Sequence, residues 1–241
     1  MSFWNTPQTE GKPQYRIGTE KESSLHRSLK FRYAGEGGQT EIEKDGYVCD
    51  GLTENGCLIE VQTGSFGPLK EKARNLAAGA PIIIIHPIVL SKEIELYSNE
   101  GELLYRRKSP RKGGIYDLFK NLIYAPELPL VTGLTIELAL VDISEKRIQD
   151  GRGSWRRKGV SIADKSLLFY HNSIPLLSSR DYAIFLPYTE KDTFTVRDLS
   201  KKARINENLA RKCLYVLCKL GLTVKTEKKG NAWVYTILNR P

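Results

Sequence analysis

The sequence predicts an α/β protein with a mixed sheet, and three observations carry that prediction. Strand-like runs in the first hundred residues alternate with two helical patterns in the order α, β, β, β, α, β. The run PIIIIHPIV, residues 81 to 89, is apolar without alternation, as expected where a parallel sheet is covered on both faces. After about residue 190 the pattern changes to two helices and a hairpin. The expected organisation is therefore an α/β unit over residues 1–100, an α+β middle segment over 101–186, and a small C-terminal domain over 187–241.

The elements follow in order. EKESSLHRSLKFRY reads as a helix from Lys21 to about Tyr33, and GEGG breaks it. QTEIEKD, YVCDGL and GCLIEVQTG read as three short strands with turn residues between them. PLKEKARNLAAG then reads as a helix leading into the apolar strand. In the middle, YRRKSPRKGG is a basic run, IYDLFKNLIY a helix and TIELALVDI a strand.

Composition bounds the function. Of 241 residues, 40% are hydrophobic, enough for real cores in one large domain or two smaller ones. The opening MSFWNTPQTEGK has no apolar core of a leader, and the greasiest run, Ala80 to Leu90, is short and broken by His86 and Pro87. A soluble, unexported, cytoplasmic protein with no membrane partner is expected. The four cysteines form no CxxC pair, so neither a zinc site nor a disulfide framework is predicted.

The net charge of +9 is concentrated. Residues 191–241 hold twelve Lys or Arg against four Asp or Glu, a net of +8. Such a footprint suits a polyanion, nucleic acid above all. In the same segment Thr195 is placed to cap a short helix, and Asn206 a second one that ends before Gly221. Leu209, Cys213, Val216, Leu217 and Leu220 form one apolar stripe on the second helix, leaving Arg211, Lys212 and Tyr215 off it. LTVKTE and AWVYTIL, joined by KKGN, complete a hairpin. Helix, turn, helix and hairpin together resemble a winged helix-turn-helix domain. The resemblance implies that Arg211, Lys212 and Tyr215 face DNA, with Lys228 and Lys229 at the wing tip. A winged helix used only for protein contacts is the alternative.

The acids of the first unit raise a different chemistry. Glu60 and Gln62 share one face of the third strand, and Asp50 lies on the second. Two acids set among Cys, Leu, Ile and Val repel unless a cation lies between them, so the pattern points to a divalent metal unless both simply face solvent at strand ends. Oxygen ligands favour Mg²⁺ or Mn²⁺. On a helical projection Glu22 falls inside the stripe of Leu25, Leu29 and Tyr33, with Glu20 on the opposite side. His26 lies near that stripe, either close to the site or as a satisfied core residue.

The order of elements, the acid of the first helix, the Asp of the second strand and the Glu-x-Gln of the third together resemble the PD-(D/E)XK, or restriction-endonuclease-like, nuclease superfamily over about residues 17–90. The resemblance implies an αβββαβ core, catalytic Glu22, Asp50, Glu60 and Gln62, a metal held by Asp50, Glu60 and Glu22, and hydrolysis of DNA. Gln62 departs from the family's usual lysine and carries no charge. Lys70 and Arg74 on the following helix either restore it and contact DNA or are surface residues. In DGRGSWRRKG, Trp155 with Arg156 and Arg157 is suited to stack on bases and hold phosphates, or else forms a hairpin turn with a packed ring. The expected protein is a Mg²⁺- or Mn²⁺-dependent DNA endonuclease, acting as a homodimer or within a larger nucleoprotein complex. The competing expectation is a non-enzymatic DNA-binding regulator on a degenerate nuclease scaffold.

Overall fold

A computed structural model describes residues 22–238. The chain order is α1 (Ser24–Ala34), β1 (Gln39–Lys44), β2 (Tyr47–Leu52), β3 (Leu58–Val61), α2 (Lys70–Gly79), β4 (Ile82–Tyr97), β5 (Leu103–Lys108), α3 (Phe119–Leu122), β6 (Leu134–Gln149), β7 (Val160–Leu176), β8 (Thr193–Thr195), α4 (Val196–Lys202), α5 (Glu207–Lys219), β9 (Thr223–Lys229) and β10 (Ala232–Ile237). The α/β class with a mixed sheet is as expected. Strands run in the order β1-β2-β3-β4-β6-β7, with β5 added to the distal part of β4. β1, β2 and β3 are antiparallel, whereas β3, β4 and β6 are mutually parallel.

The sheet buries both faces. Leu25 and Leu29 of α1 pack with Ile59, Val61, Ile85, Ala139 and Val141 on one side. Fully burying such a side chain contributes about 1.5–3 kcal/mol, so these two alone hold the helix down firmly. Asp164 of β7 fixes the start of α1 by accepting from Ser24 N–H at 2.9 Å. On the other side Leu58, Ile82 and Ile84 meet Ala73 and Leu76 of α2 and Leu118, Phe119 and Leu122 of the α3 region.

Two boundaries differ from the sequence reading. The division at residue 100 falls within one sheet, because the apolar strand continues to Tyr97 and pairs along its length with β6 of the middle segment. The core likewise runs on past residue 187. Leu209, Leu214 and Leu217 of α5 belong to the same cluster as Phe119 and Leu118. In the C-terminal part Thr195 and Asn206 cap α4 and α5 as predicted, and Gly221 follows at φ 73°. Gly230 and Asn231 turn β9 into β10, which also pairs with β8. Among the described residues no helix is long and apolar enough to cross a membrane.

Candidate active site

The site begins with a slip in β2. Side chains of a strand alternate between faces, yet Cys49 and Leu52, an odd number of residues apart, both pack on the α2 side. Alternation therefore breaks at Asp50 and Gly51. Opposite them on β1, Glu41 has a φ of 58°, a left-handed conformation unusual for a glutamate. The β2–β3 ladder ends at Gly51 and Ile59, and beyond it the Asp50 carboxylate accepts from Val61 N–H at 2.7 Å. Asp50 thus stands where the two faces of the sheet meet.

From the α1 side a polar chain reaches it. His26 Nε2 lies 3.2 Å from Asp50 Oδ2, and His26 Nδ1 lies 2.5 Å from Glu22 Oε1. Lys30, nearly buried, donates to Glu22 and to Glu41. Burial alone would raise the carboxyl pKa of Asp50, but the His26 bond and the Val61 N–H outweigh it and hold it low. Burial would lower the His26 pKa, and its two carboxylate partners raise it instead. Glu22 is also held low, as His26 and Lys30 overcome its burial. The helical projection does not place Glu22, because α1 starts at Ser24 with Ser23 as its cap. Glu22 arrives from the segment before the helix, and Glu20 lies outside the described residues.

From the α2 side comes a lysine. Glu60 alternates with Ile59 and Val61 and so faces α2, where Lys72 Nζ lies 2.6 Å and 2.7 Å from its two carboxylate oxygens. Lys72 also donates to the Val48 carbonyl at 2.7 Å. Burial, and then the charge of Asp50, push the Glu60 pKa up in spite of Lys72. Neighbouring carboxylates with oppositely displaced pKa values are the electrostatic pattern of a divided acid–base site. Lys72 rather than Lys70 or Arg74 reaches Glu60. Arg74 faces Glu127 at 3.6 Å, and Lys70 opens the first turn of α2. Gln62 donates its side-chain amide to the Ser65 carbonyl, while its own carbonyl accepts from His86 Nδ1 at 2.5 Å. It shapes the turn after β3.

Glu22, His26 and Asp50 line a cleft of about 1210 Å³ that extends over β4, β6 and β7 as far as Lys92, Glu145 and Lys165. The predicted metal set of Glu22, Asp50 and Glu60 is not assembled as one triad. Among the described residues no three His, Cys, Asp or Glu side chains converge to hold a metal ion. The physical reason is the layout above, with Glu22 on the far side of His26. Asp50 and Glu60 are the two acids of that set whose charges act on one another, and Lys72 holds both oxygens of Glu60; a hard divalent ion would need only one or two carboxylates and would keep several waters. The charge of Asp50 raising the pKa of Glu60 is the repulsion such an ion would relieve.

The remaining predicted residues are spread over the surface. Arg211 and Tyr215 are exposed on α5 and Lys212 is half-buried, opposite the buried stripe of Leu209, Cys213, Val216 and Leu217. Lys228 and Lys229 are exposed at the end of β9, and Lys225 and Lys228 both lie over the Trp233 ring. Trp155 is 83% exposed with Arg156 beside its ring, so the packed-ring alternative does not apply. Arg157 donates to the Val160 carbonyl at 3.1 Å.

Comparison with known proteins adds a family. Residues 23–176 match the family described as Domain of unknown function (DUF8091). The chain belongs to that family. Its matched region spans α1 to β7 and so contains the site and the cleft apart from Glu22, which lies one residue before it. The chain is also similar to a protein of Treponema pallidum (strain Nichols) described as uncharacterized, with 25% identity over 219 residues, covering 91% of this chain and 86% of that one. No solved structure matches it.

Proposed function

We propose that this protein is a divalent-metal-dependent DNA endonuclease, with a restriction-endonuclease-like core over α1 to β4 and a winged helix over residues 187–238. The observation that carries the reading is Asp50 and Glu60 on neighbouring strands, near enough for the charge of Asp50 to raise the pKa of Glu60, with Lys72 on Glu60. Asp50 and Glu60 would hold magnesium or manganese, which acidifies and orients a water and neutralises charge growing on the phosphate. His26 and the Val61 N–H keep Asp50 ionised and fixed in place. Glu22 and Lys30 in turn orient His26. Lys72 supplies the cation that Gln62 lacks, and from α2 it can donate to a phosphate oxygen beside Glu60. The exposed face of α5 and the Lys228 end of the hairpin supply phosphate contacts away from the reacting centre.

One observation favours the second reading, a DNA-binding regulator on the same scaffold. Lys72 already satisfies both oxygens of Glu60 and so stands where a metal charge would act. The deciding experiment is cleavage of linear, supercoiled, branched and single-stranded DNA with Mg²⁺ or Mn²⁺. The nuclease reading expects cleavage that chelator stops and Asp50→Asn abolishes. DNA binding with no metal-dependent cleavage of any form leaves the regulator.

A further inference from the structure

The cleft has a second charged cluster, far from Asp50. Glu145 of β6 is 3% exposed, on the same face of the sheet as α1. Arg147 donates to its Oε1 at 2.6 Å and 2.8 Å, and Lys92 of β4 to its Oε2 at 2.9 Å. One carboxylate is balanced by one cation, and here there are two. Lys92 is the surplus charge, and it lines the cleft. Lys165, paired across the ladder with Glu145, and the exposed Arg111 line it as well.

Structural need alone does not account for such a cluster. A buried ion pair is often matched or exceeded in stability by apolar residues, and the neighbouring Ile94 and Ile143 show that this sheet accepts them. What a buried carboxylate does provide is a rigid seat for the cations it binds. Lys92, Arg111 and Lys165 line the cleft together with Asp117, Glu145 and Asp164, while Lys30 lines it with Glu22, Glu41, Glu43 and Asp50.

We infer that Lys92, Lys165 and Arg111, with Lys92 seated on Glu145, form a subsite for backbone phosphates of a bound nucleic acid away from the reacting phosphate. This rests on the nuclease reading of Asp50 and Glu60. Val61, whose N–H holds Asp50, pairs with Ile85 of β4, and Lys92 lies seven residues further along that strand. At about 3.3 Å per residue the separation is roughly 20 Å, and at about 3.4 Å per base pair it spans some six base pairs. Asp50 and Glu60 would act on one phosphate through a metal, and Lys92, Lys165 and Arg111 would hold the backbone in line with it.

The test is the salt dependence of mixed-sequence duplex DNA binding by the full chain, with cleavage measured alongside. Lys165→Gln and Arg111→Gln leave the Glu145 cluster intact, and each is expected to make the slope of log K against log salt shallower by about 0.9. Glu145→Gln keeps both cations and removes their counter-charge, so binding is expected to tighten and its slope to steepen, an outcome a purely structural role does not produce. Duplexes reaching fewer than about six base pairs to the Lys92 side of the cut are expected to lose the effect of these variants. If wild type binds and cleaves DNA while Lys165→Gln, Arg111→Gln and Glu145→Gln all keep its slope, the subsite is overturned and the nuclease reading stands. If wild type neither binds nor cleaves DNA, both fall together.

Discussion

Lys72 Nζ sits 2.6 Å and 2.7 Å from the two carboxylate oxygens of Glu60, joining α2 to the third strand at the one place where that strand buries a charge. Removing the lysine leaves the carboxylate, 11% exposed, without its cation. Lys72→Met is therefore expected to lower stability by about 2 kcal/mol, allowing for the partial exposure of the lysine. Mg²⁺ or Mn²⁺ should restore part of the lost melting temperature if Asp50 and Glu60 bind the ion. A variant that melts like wild type would show that the pair contributes nothing.

Much of this arrangement was legible in the sequence. Element order, helix caps and the α5 stripe are local patterns of period and capping, and they hold in the structure. Lys72 was not, because its role depends on which face of α2 meets Glu60, and helix periodicity ranks it no higher than Lys70 or Arg74. Glu22 was read as part of the helix stripe, but the cap at Ser23 puts it before the helix, and it reaches Asp50 only through His26. The slip at Asp50 was invisible as well. It shows only in the left-handed Glu41 and in the packing of Cys49 and Leu52 on one side.

The two central acids should separate binding from cutting. Asp50→Asn and Glu60→Gln keep side-chain shape and remove charge, so each is expected to abolish cleavage while DNA affinity holds or rises. Glu22→Gln should lower cleavage less, because it acts on Asp50 only through His26. Cleavage by Asp50→Asn at the wild-type rate would remove Asp50 from the chemistry.

Docking by the C-terminal part calls for surface substitutions rather than truncation. Deleting residues 187–241 would strip Leu209, Leu214 and Leu217 from the shared core, so loss of binding would follow from misfolding. Arg211→Gln and Lys228→Gln touch exposed residues only. Each is expected to weaken DNA binding and make the salt slope shallower by about 0.9, with no change in melting temperature. An unaltered slope in both would take DNA off this face.

Trp155→Ala isolates the loop between β6 and β7. With the ring 83% exposed, its removal should leave stability within about 0.5 kcal/mol of wild type. If the ring stacks on a base, single-stranded DNA binding should weaken by about 1–3 kcal/mol. Equal affinity of variant and wild type would argue against stacking.

Two histidines should give the protein opposite responses to pH. His86 is 2% exposed, packs against Phe66, donates to the Gln62 carbonyl, and has its pKa held down by burial to about 4. Above pH 6.5 it is neutral in both folded and unfolded chains and has no effect. Between 6.5 and about 4 only the unfolded chain takes up the proton, so stability falls with acid, by about 3 kcal/mol in all at roughly 1.4 kcal/mol per pH unit. His26 has the reverse sign. Its pKa is raised by Asp50 and Glu22 against the pull of burial, so the stability it lends is full below 6.5 and is lost as pH rises through its higher folded value. Urea denaturation from pH 4 to 9 tests both. His86→Phe should flatten the acid limb, and His26→Gln the alkaline one. An acid limb as steep in His86→Phe as in wild type would assign the proton uptake to other groups, and the buried ring would then have no part in the acid response.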